Sequence, residues 1–267
     1  MNTKKLIYEG AVLCYRIYGE GRPVILVHGF GEEANVWDGL VAHLQNRYQL
    51  IIPDLPGSGD SAMIPDMSIA GMAETIHAIV HEENIHTCTL IGHSMGGYIT
   101  LAFAENYWNH PDAFGLFHST SYADSEEKKA TRRKGIAFIQ EHGAFEFLKT
   151  ATPNLFSPKT KEENTALVEK QIAGLSRFTK EALVAYYEAM IGRPDRTAVL
   201  RQTRVPVLFI IGKSDNAVSP DDSLQQSHLP GISYIHLLTH SGHMGMLEEP
   251  EACKRILDEF LLETEKY

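Results

Sequence analysis

Short apolar runs and helix-period segments alternate along the first 118 residues of the chain. The apolar runs predict buried strands, which occupy residues 24–27, 48–52, 87–91 and 113–117. Amphipathic spacing predicts one helix that starts at residue 68 and a second over residues 95–107. Alternating strands and helices favour a parallel sheet with crossover helices. The β-branched and aromatic residues between positions 11 and 18 predict a leading strand, antiparallel to the rest.

This alternation is interrupted between residues 119 and 194, where only helix-period stretches separated by glycine and proline are found. The strand signal resumes at residues 205–211 and 232–238, and an amphipathic helix is predicted over residues 248–262. We therefore predict an α/β fold with a mostly parallel central sheet flanked by helices. Residues 1–118 and 195–267 form its core, and residues 119–194 are a helical lid insertion.

Composition narrows the class of protein. The 267 residues are 43% hydrophobic and 22% charged, which is typical of a globular protein and excludes disordered and fibrous chains. The 24 Lys and Arg against 34 Asp and Glu give a formal net charge of −10. A chain of this charge repels a phosphate backbone on average, so we expect no nucleic-acid partner.

The lack of a signal-peptide or membrane-span pattern and the cysteine usage together predict a reducing compartment. Residues 1–10 include two lysines but no apolar stretch of a signal peptide, and no run approaches the roughly 18 apolar residues of a membrane span. We therefore expect a cytoplasmic protein that does not contact membranes. The three cysteines are far apart and odd in number, which predicts buried reduced thiols rather than disulfides or a zinc site.

A Gly-x-Ser-x-Gly pattern lies between the predicted strand 87–91 and the helix that follows it. Its sequence is Gly92-His93-Ser94-Met95-Gly96-Gly97. A serine on so sharp a strand-to-helix turn is held in strained backbone geometry, and Gly92 and Gly96 are needed because side chains there would collide with the adjacent chain. The positive end of the helix favours negative charge beside the hydroxyl. Ser94 is therefore the candidate nucleophile.

A serine nucleophile needs a base, which an acid in turn orients. Asp215 follows the predicted strand 205–211, and His243 follows the predicted strand 232–238. Both lie in loops at carboxyl ends of strands, where ligands gather in open α/β sheets. His240 is the rival base, while the rival acids Asp221 and Asp222 lie where a helix N-terminus is expected.

The oxyanion formed during attack on a carbonyl needs backbone N–H donors placed in advance. The amide of Met95, directly after the nucleophile, is the first candidate donor. The second is the amide of Phe30, because the predicted strand 24–27 is followed by His28-Gly29-Phe30-Gly31. A plain turn is the alternative interpretation of this glycine-rich segment.

These motifs resemble the α/β-hydrolase superfamily, in particular its small, lid-bearing esterases and enol-lactone hydrolases. The resemblance covers nearly the whole chain and rests on residues 28–31, 54–61, 92–97 and 242–250, in family order. It implies the α/β-hydrolase fold and a triad of Ser94, His243 and Asp215. It says little about the substrate, since residues 119–194 match only a general helical pattern.

Two features of the predicted lid bear on substrates. The basic run Lys128, Lys129, Arg132, Arg133 and Lys134 is interpreted as a solvated helix face, with docking of an acidic carrier or a carboxylate-bearing substrate as the alternative. Aromatic residues predict an apolar inner face that packs the lid and partly walls a pocket; they are Phe138, Phe145, Phe147, Phe156, Phe178, Tyr186 and Tyr187.

We therefore predict a serine hydrolase that cleaves a small or medium carboxylic ester through an acyl-enzyme, without a metal or organic cofactor. The expected partner is a small-molecule ester, and the sequence makes no prediction of oligomeric state. The same motifs leave open enol-lactone hydrolysis, carbon–carbon bond hydrolysis and acyl transfer. A small-molecule receptor on the same fold is a further alternative, against which the intact triad argues.

Overall fold

An eight-stranded sheet runs through the part of the chain that the computed structural model describes, residues 2–266 without the Ser176 side chain. Its strands are β1 (Asn2–Tyr8), β2 (Ala11–Tyr18), β3 (Arg22–Val27), β4 (Tyr48–Pro53), β5 (Cys88–His93), β6 (Pro111–Phe117), β7 (Val207–Gly212) and β8 (Ser233–Leu238). They lie in the order β1-β2-β4-β3-β5-β6-β7-β8. The strands β3 to β8 are mutually parallel, and β2 is antiparallel to β1 and β4. The predicted α/β class and the antiparallel leading strand are both confirmed.

The first strand, β1, has no counterpart among the predicted elements. Its side chains are exposed or half-buried, so it lacks the apolar run that marks a buried strand. It is held instead by pairing with β2 along its whole length, from Asn2 opposite Ile17 to Tyr8 opposite Ala11. The turn between them places both Glu9 and Gly10 at positive φ, as a two-residue hairpin requires.

Helices cover both faces of the sheet. They are α1 (Asp38–Leu44), α2 (Ile69–Glu82), α3 (Met95–Asn106), α4 (Glu126–His142), α5 (Ala144–Ala151), α6 (Pro158–Glu163), α7 (Thr165–Ala173), α8 (Lys180–Gly192), α9 (Thr197–Gln202), α10 (Pro220–Gln226), α11 (Gly245–Glu248) and α12 (Pro250–Thr264). Alternate residues of β3 divide between two cores: Ile25 packs with α2 and α3, whereas Leu26 packs with α1 and α12. Each such buried aliphatic side chain stabilises the fold by roughly 1.5–3 kcal/mol. None of the helices within residues 2–266 is long and apolar enough to span a membrane.

The segment between β6 and β7 is helical, and its helices α4, α6, α7 and α8 begin at side-chain caps. The hydroxyl of Ser125 accepts a hydrogen bond from the Lys128 N–H at the start of α4, and Thr179 caps α8 in the same way. Of the aromatic residues predicted to face inward, Phe156, Phe178 and Tyr186 are buried. Phe138 and Phe145 are instead 37% exposed, because helical spacing alone does not determine which face of α4 and α5 packs inward.

Candidate active site

Ser94 lies on a sharp turn between β5 and α3. Its backbone angles are φ 52° and ψ −116°, a conformation that costs a non-glycine residue roughly 1–3 kcal/mol. Two hydrogen bonds hold the turn: the Ser94 N–H donates to the Phe117 carbonyl at 2.9 Å, and the Ser119 hydroxyl donates to the Ser94 carbonyl at 2.8 Å. The end of β6 and the loop that follows it therefore hold the strained backbone in place.

The two glycines that flank the serine have no room for a side chain. A Cβ on Gly92 would lie 2.3 Å from the carbonyl oxygen of Gly96, and one on Gly96 would lie 2.2 Å from that of Val27. Both neighbours are backbone atoms, which cannot rotate away. The requirement for glycine at these two positions, predicted from the motif, agrees with this packing.

We expect Gly96→Ala to lower the free energy of unfolding by about 3 kcal/mol, because β3 would have to move to admit the methyl group. Gly39 in α1 is the matched control, since it is exposed and a Cβ there meets no atom within 4 Å. Gly39→Ala should leave stability unchanged or raise it by up to about 1 kcal/mol. Urea unfolding of the two variants measures the difference, and equal stabilities would contradict this account.

Asp215 and His243 are joined directly. The carboxylate oxygen Oδ2 of Asp215 lies 2.7 Å from Nδ1 of His243, and both side chains are buried. The other oxygen, Oδ1, accepts hydrogen bonds from the N–H groups of Ala217 at 2.8 Å and Val218 at 2.9 Å. Burial opposes the charge of Asp215, but the nearby His243 and His118 outweigh it and lower the pKa of Asp215.

Glu248 holds the loop that carries His243. Its Oε1 accepts hydrogen bonds from the N–H groups of Gly242 at 2.8 Å and Met244 at 3.3 Å, on either side of the histidine. Its Oε2 accepts from the Ser157 N–H at 2.8 Å, which links the loop to the helical segment. The sequence marks Glu248 only as part of the family pattern, and the structure shows the contacts that it makes.

Ser94 and His243 face one cavity of about 250 Å³. Its walls are mostly apolar, and their residues include Phe30, Leu148, Leu155, Tyr187 and Met190. Within residues 2–266, no hydrogen bond joins the Ser94 hydroxyl to the His243 ring. Bonds of this kind are often long in unliganded sites and tighten only when substrate binds.

The predicted oxyanion donors belong to two segments that lie next to Ser94, the start of α3 and the loop after β3. Met95 is the first residue of α3, and the first N–H groups of a helix have no partner within the helix. Phe30 lies in the loop after β3 and lines the cavity, where its ring stacks on Tyr187 at 4.5 Å between centroids. A Cβ on Gly29, next to Phe30, would lie 3.0 Å from the Cβ of Ser94, so this loop passes close to the serine.

The rival residues lie elsewhere. His240 is exposed and does not line the cavity. Asp221 and Asp222 lie in the first turn of α10, as expected of residues at a helix N-terminus. Within the described residues, no group of three or more His, Cys, Asp or Glu side chains is arranged to hold a metal ion.

A buried ion pair between His93 and Glu32, which the sequence did not predict, contacts the loops of the site. Nδ1 of His93 lies 2.9 Å from Oε2 of Glu32, and Nε2 of His93 lies 2.8 Å from the carbonyl oxygen of His243. The same Glu32 oxygen accepts a hydrogen bond from the Gly29 N–H at 2.6 Å. This network connects the loop after β3 to the loop that carries His243. His93 occupies a position of the serine motif that any residue can fill, so its role is visible only in three dimensions.

Burial disfavours charge on both members of this pair, but their mutual attraction prevails. It raises the pKa of His93 and lowers the pKa of Glu32. A group whose pKa is raised on folding contributes stability that is fully present below its unfolded pKa, about 6.5 for histidine, and is lost as pH rises through the folded pKa. We therefore expect the free energy of unfolding of the wild type to fall more steeply than that of Glu32→Gln from about pH 6.5 upward. Urea unfolding across pH measures both slopes, and equal slopes would contradict a charged pair.

His118 is a second buried histidine beside Asp215. Its Nδ1 lies 3.5 Å from Asp215 Oδ2, and its two ring nitrogens lie within hydrogen-bond range of the Gly212 and Gly245 N–H groups. Burial lowers the pKa of His118 to about 4, so its ring is neutral at neutral pH. The carboxylate of Asp215 therefore faces one neutral ring and the ring of His243.

Comparisons with known proteins identify the family of the chain. A family model described as Alpha/beta hydrolase family matches residues 24–256. The pimeloyl-acyl-carrier-protein methyl ester esterase of Aeromonas hydrophila is 35% identical over 255 residues, which cover 91% of this chain and 97% of that protein. The 3-oxoadipate enol-lactonase 1 of Acinetobacter baylyi is 24% identical over 259 residues, which cover 95% and 94%.

Among solved structures, a thermophilic esterase from Thermogutta terrifontis with bound malate superposes with a TM-score of 0.92, at 26% identity over 99% of both chains. The match to the family model spans residues 24–256, which is most of the sequence. The chain therefore belongs to the alpha/beta hydrolase family, and esterases and an enol-lactonase are among its relatives.

Proposed function

We propose that this protein is a serine hydrolase that cleaves a small or medium carboxylic ester. The 2.7 Å hydrogen bond between Asp215 and His243, in a cavity that His243 shares with Ser94, carries this proposal. A lone exposed serine on a tight turn would need neither a buried carboxylate nor an oriented imidazole. The family of the chain and its esterase relatives support the same reaction class.

In this mechanism Ser94 attacks the ester carbonyl while Nε2 of His243 takes the hydroxyl proton. Asp215 accepts the hydrogen bond from Nδ1, which keeps Nε2 free to act as a base and stabilises the imidazolium that forms. The N–H groups of Phe30 and Met95 bind the oxyanion. The imidazolium then protonates the leaving alcohol, and His243 activates the water that hydrolyses the acyl-enzyme.

The cavity supports a substrate of limited size. Its volume of about 250 Å³ lies just below the range of small-molecule sites, which measure about 300–1,000 Å³. Its apolar walls suit an acyl or alcohol part made of carbon chain, and Phe30 and Tyr187 present a stacked aromatic surface. A short-chain or medium-chain ester is therefore favoured over a long-chain lipid.

Enol-lactone hydrolysis is the second candidate. It is favoured by one observation, the enol-lactonase relative that aligns along 95% of this chain. A lactone is a cyclic ester, so the same triad would open it, with the leaving oxygen kept on the product. Hydrolysis rates for matched linear esters and lactones would separate the two candidates.

Labelling with a fluorophosphonate tests the proposed function, because this reagent phosphonylates only an activated serine. We expect one label per chain, located at Ser94 by peptide mass spectrometry, and loss of 4-nitrophenyl acetate hydrolysis in step with labelling. His240→Ala, which changes the rival base, should be labelled at the wild-type rate. A label on another residue, or full turnover after complete labelling, would overturn the proposal.

A further inference from the structure

The basic run of α4 does not lie on one solvated face. Lys128 and Arg132, four residues apart and therefore on the same side of the helix, both line the cavity of Ser94. Arg133 and Lys134 are exposed on the other side. For Lys128 and Arg132, the sequence-based interpretation as a solvated helix face is therefore wrong.

The charged side chains around the cavity wall that Lys128 and Arg132 form do not neutralise one another. Asp124 is fully buried, and its carboxylate pairs with two guanidinium groups, Arg132 at 2.5 Å and Arg193 at 2.9 Å. The ammonium group of Lys128 donates a hydrogen bond to the Ala217 carbonyl at 2.8 Å and has no carboxylate partner within the described residues. One carboxylate against three cations leaves a net charge of +2 in this group, in a chain with a formal net charge of −10. Of the three cations, Lys128 and Arg132 line the cavity and Arg193 lies behind them on Asp124.

The one other charged side chain among the described cavity residues does not offset them. Glu32 lines the cavity, but its carboxylate is paired with His93 beneath the serine. The rest of the lining is mostly apolar and includes Leu148, Ala151 and Met190. The cavity thus combines the Ser94 hydroxyl, a mostly apolar lining and the two cations Lys128 and Arg132.

We propose that Lys128 and Arg132 bind a free carboxylate of the substrate, so that the preferred esters are half-esters of dicarboxylic acids. This proposal rests on the proposed function, because it assigns the substrate class of the same cavity. The apolar walls would contact the methylene chain between the ester and the carboxylate. An unpaired ammonium and a guanidinium at a low-dielectric wall favour a carboxylate over a neutral group of the same size.

The direct test is the ratio of kcat/KM for monomethyl adipate to kcat/KM for dimethyl adipate in the wild-type enzyme. One charge-assisted contact made in the transition state predicts a ratio of about 10 to 100. A ratio of 1 or less would overturn the proposal. It would mean that no attraction in the cavity outweighs the repulsion between the half-ester and the negative net charge of the chain. This measurement needs no variant and is independent of folding effects.

Lys128→Met should reduce that ratio by about tenfold or more, since it keeps the length of the side chain and removes the charge. Lys129→Met is the matched control: Lys129 is the next residue, pairs with Glu126 at 2.9 Å and does not line the cavity. It should leave the ratio at the wild-type value. Equal ratios in the two variants would contradict the role of Lys128.

Hydrolysis of 4-nitrophenyl acetate distinguishes the two proposals, because this ester carries no free carboxylate. If Ser94-dependent turnover of this ester is present but the adipate ratio is 1 or less, the carboxylate site is wrong and the serine hydrolase stands. If turnover of this ester does not depend on Ser94, the proposed function itself fails.

Discussion

Replacing Ser94 by alanine is expected to lower kcat for 4-nitrophenyl acetate by about 10⁴-fold to 10⁶-fold. The variant loses the atom that would form the acyl-enzyme, and the oxyanion donors alone provide only a small residual rate. Stopped-flow or steady-state release of 4-nitrophenolate measures the change. A variant that retained more than about 1% of wild-type kcat would exclude Ser94 as the nucleophile.

The fold of this variant has to be checked separately, because Ser94 lies in a strained backbone conformation. Alanine keeps that strain, whereas glycine tolerates positive φ. Ser94→Gly should therefore be as inactive as Ser94→Ala, and its melting temperature should be at least as high as that of Ser94→Ala. A pair of inactive variants with near-native melting temperatures would show that the loss comes from the missing hydroxyl group.

Replacing Asp215 by asparagine is expected to lower kcat by about 10⁴-fold, the second largest effect. The N–H groups of Ala217 and Val218 donate to Oδ1, so the amide oxygen of the asparagine must occupy that position. Its NH₂ group then faces Nδ1 of His243, which has to accept a hydrogen bond instead of donating one. The ring proton moves to Nε2, and His243 can no longer take the proton of Ser94. Steady-state kinetics over a range of pH measures this loss.

Asp221→Asn is the matched control for this substitution. Asp221 is one of the two rival acids and lies exposed in the first turn of α10, where its carboxylate interacts with the helix N-terminus. Its replacement should change kcat less than twofold and reduce stability by less than about 1 kcal/mol. If kcat fell in Asp221→Asn and persisted in Asp215→Asn, the assignment of the acid would be wrong.

Much of the sheet could be predicted from local patterns. Strands buried on both faces require continuous apolar runs, so β3, β5 and β7 stand out in the sequence, with ends displaced by one or two residues. The hairpin strand β1 was missed because its stability comes from pairing with β2 rather than from burial of its own side chains. The short helix α1 was missed as well, since seven residues carry too little periodicity to be recognised.

The candidate catalytic residues could be predicted where a local turn motif specifies their position. The glycines around Ser94 are required by backbone contacts, so the motif itself specifies the geometry. Asp215 and His243 could be placed at the carboxyl ends of β7 and β8, and the structure brings them within 2.7 Å. Their catalytic roles, and those of Phe30 and Met95, stay predictions until the variants are measured.

The sequence alone determined the order of the buried strands and longer core helices and the candidate residues, because apolar periodicity and turn chemistry act over a few neighbouring positions. Only the tertiary structure decided which polar groups meet: Glu32 and His93 are 61 residues apart in the chain, and Glu248 reaches Ser157 across 91. It also decided that Lys128 and Arg132 face the cavity. A helix bears a polar stripe whether that stripe meets water or a pocket, and the packing of distant elements makes the choice.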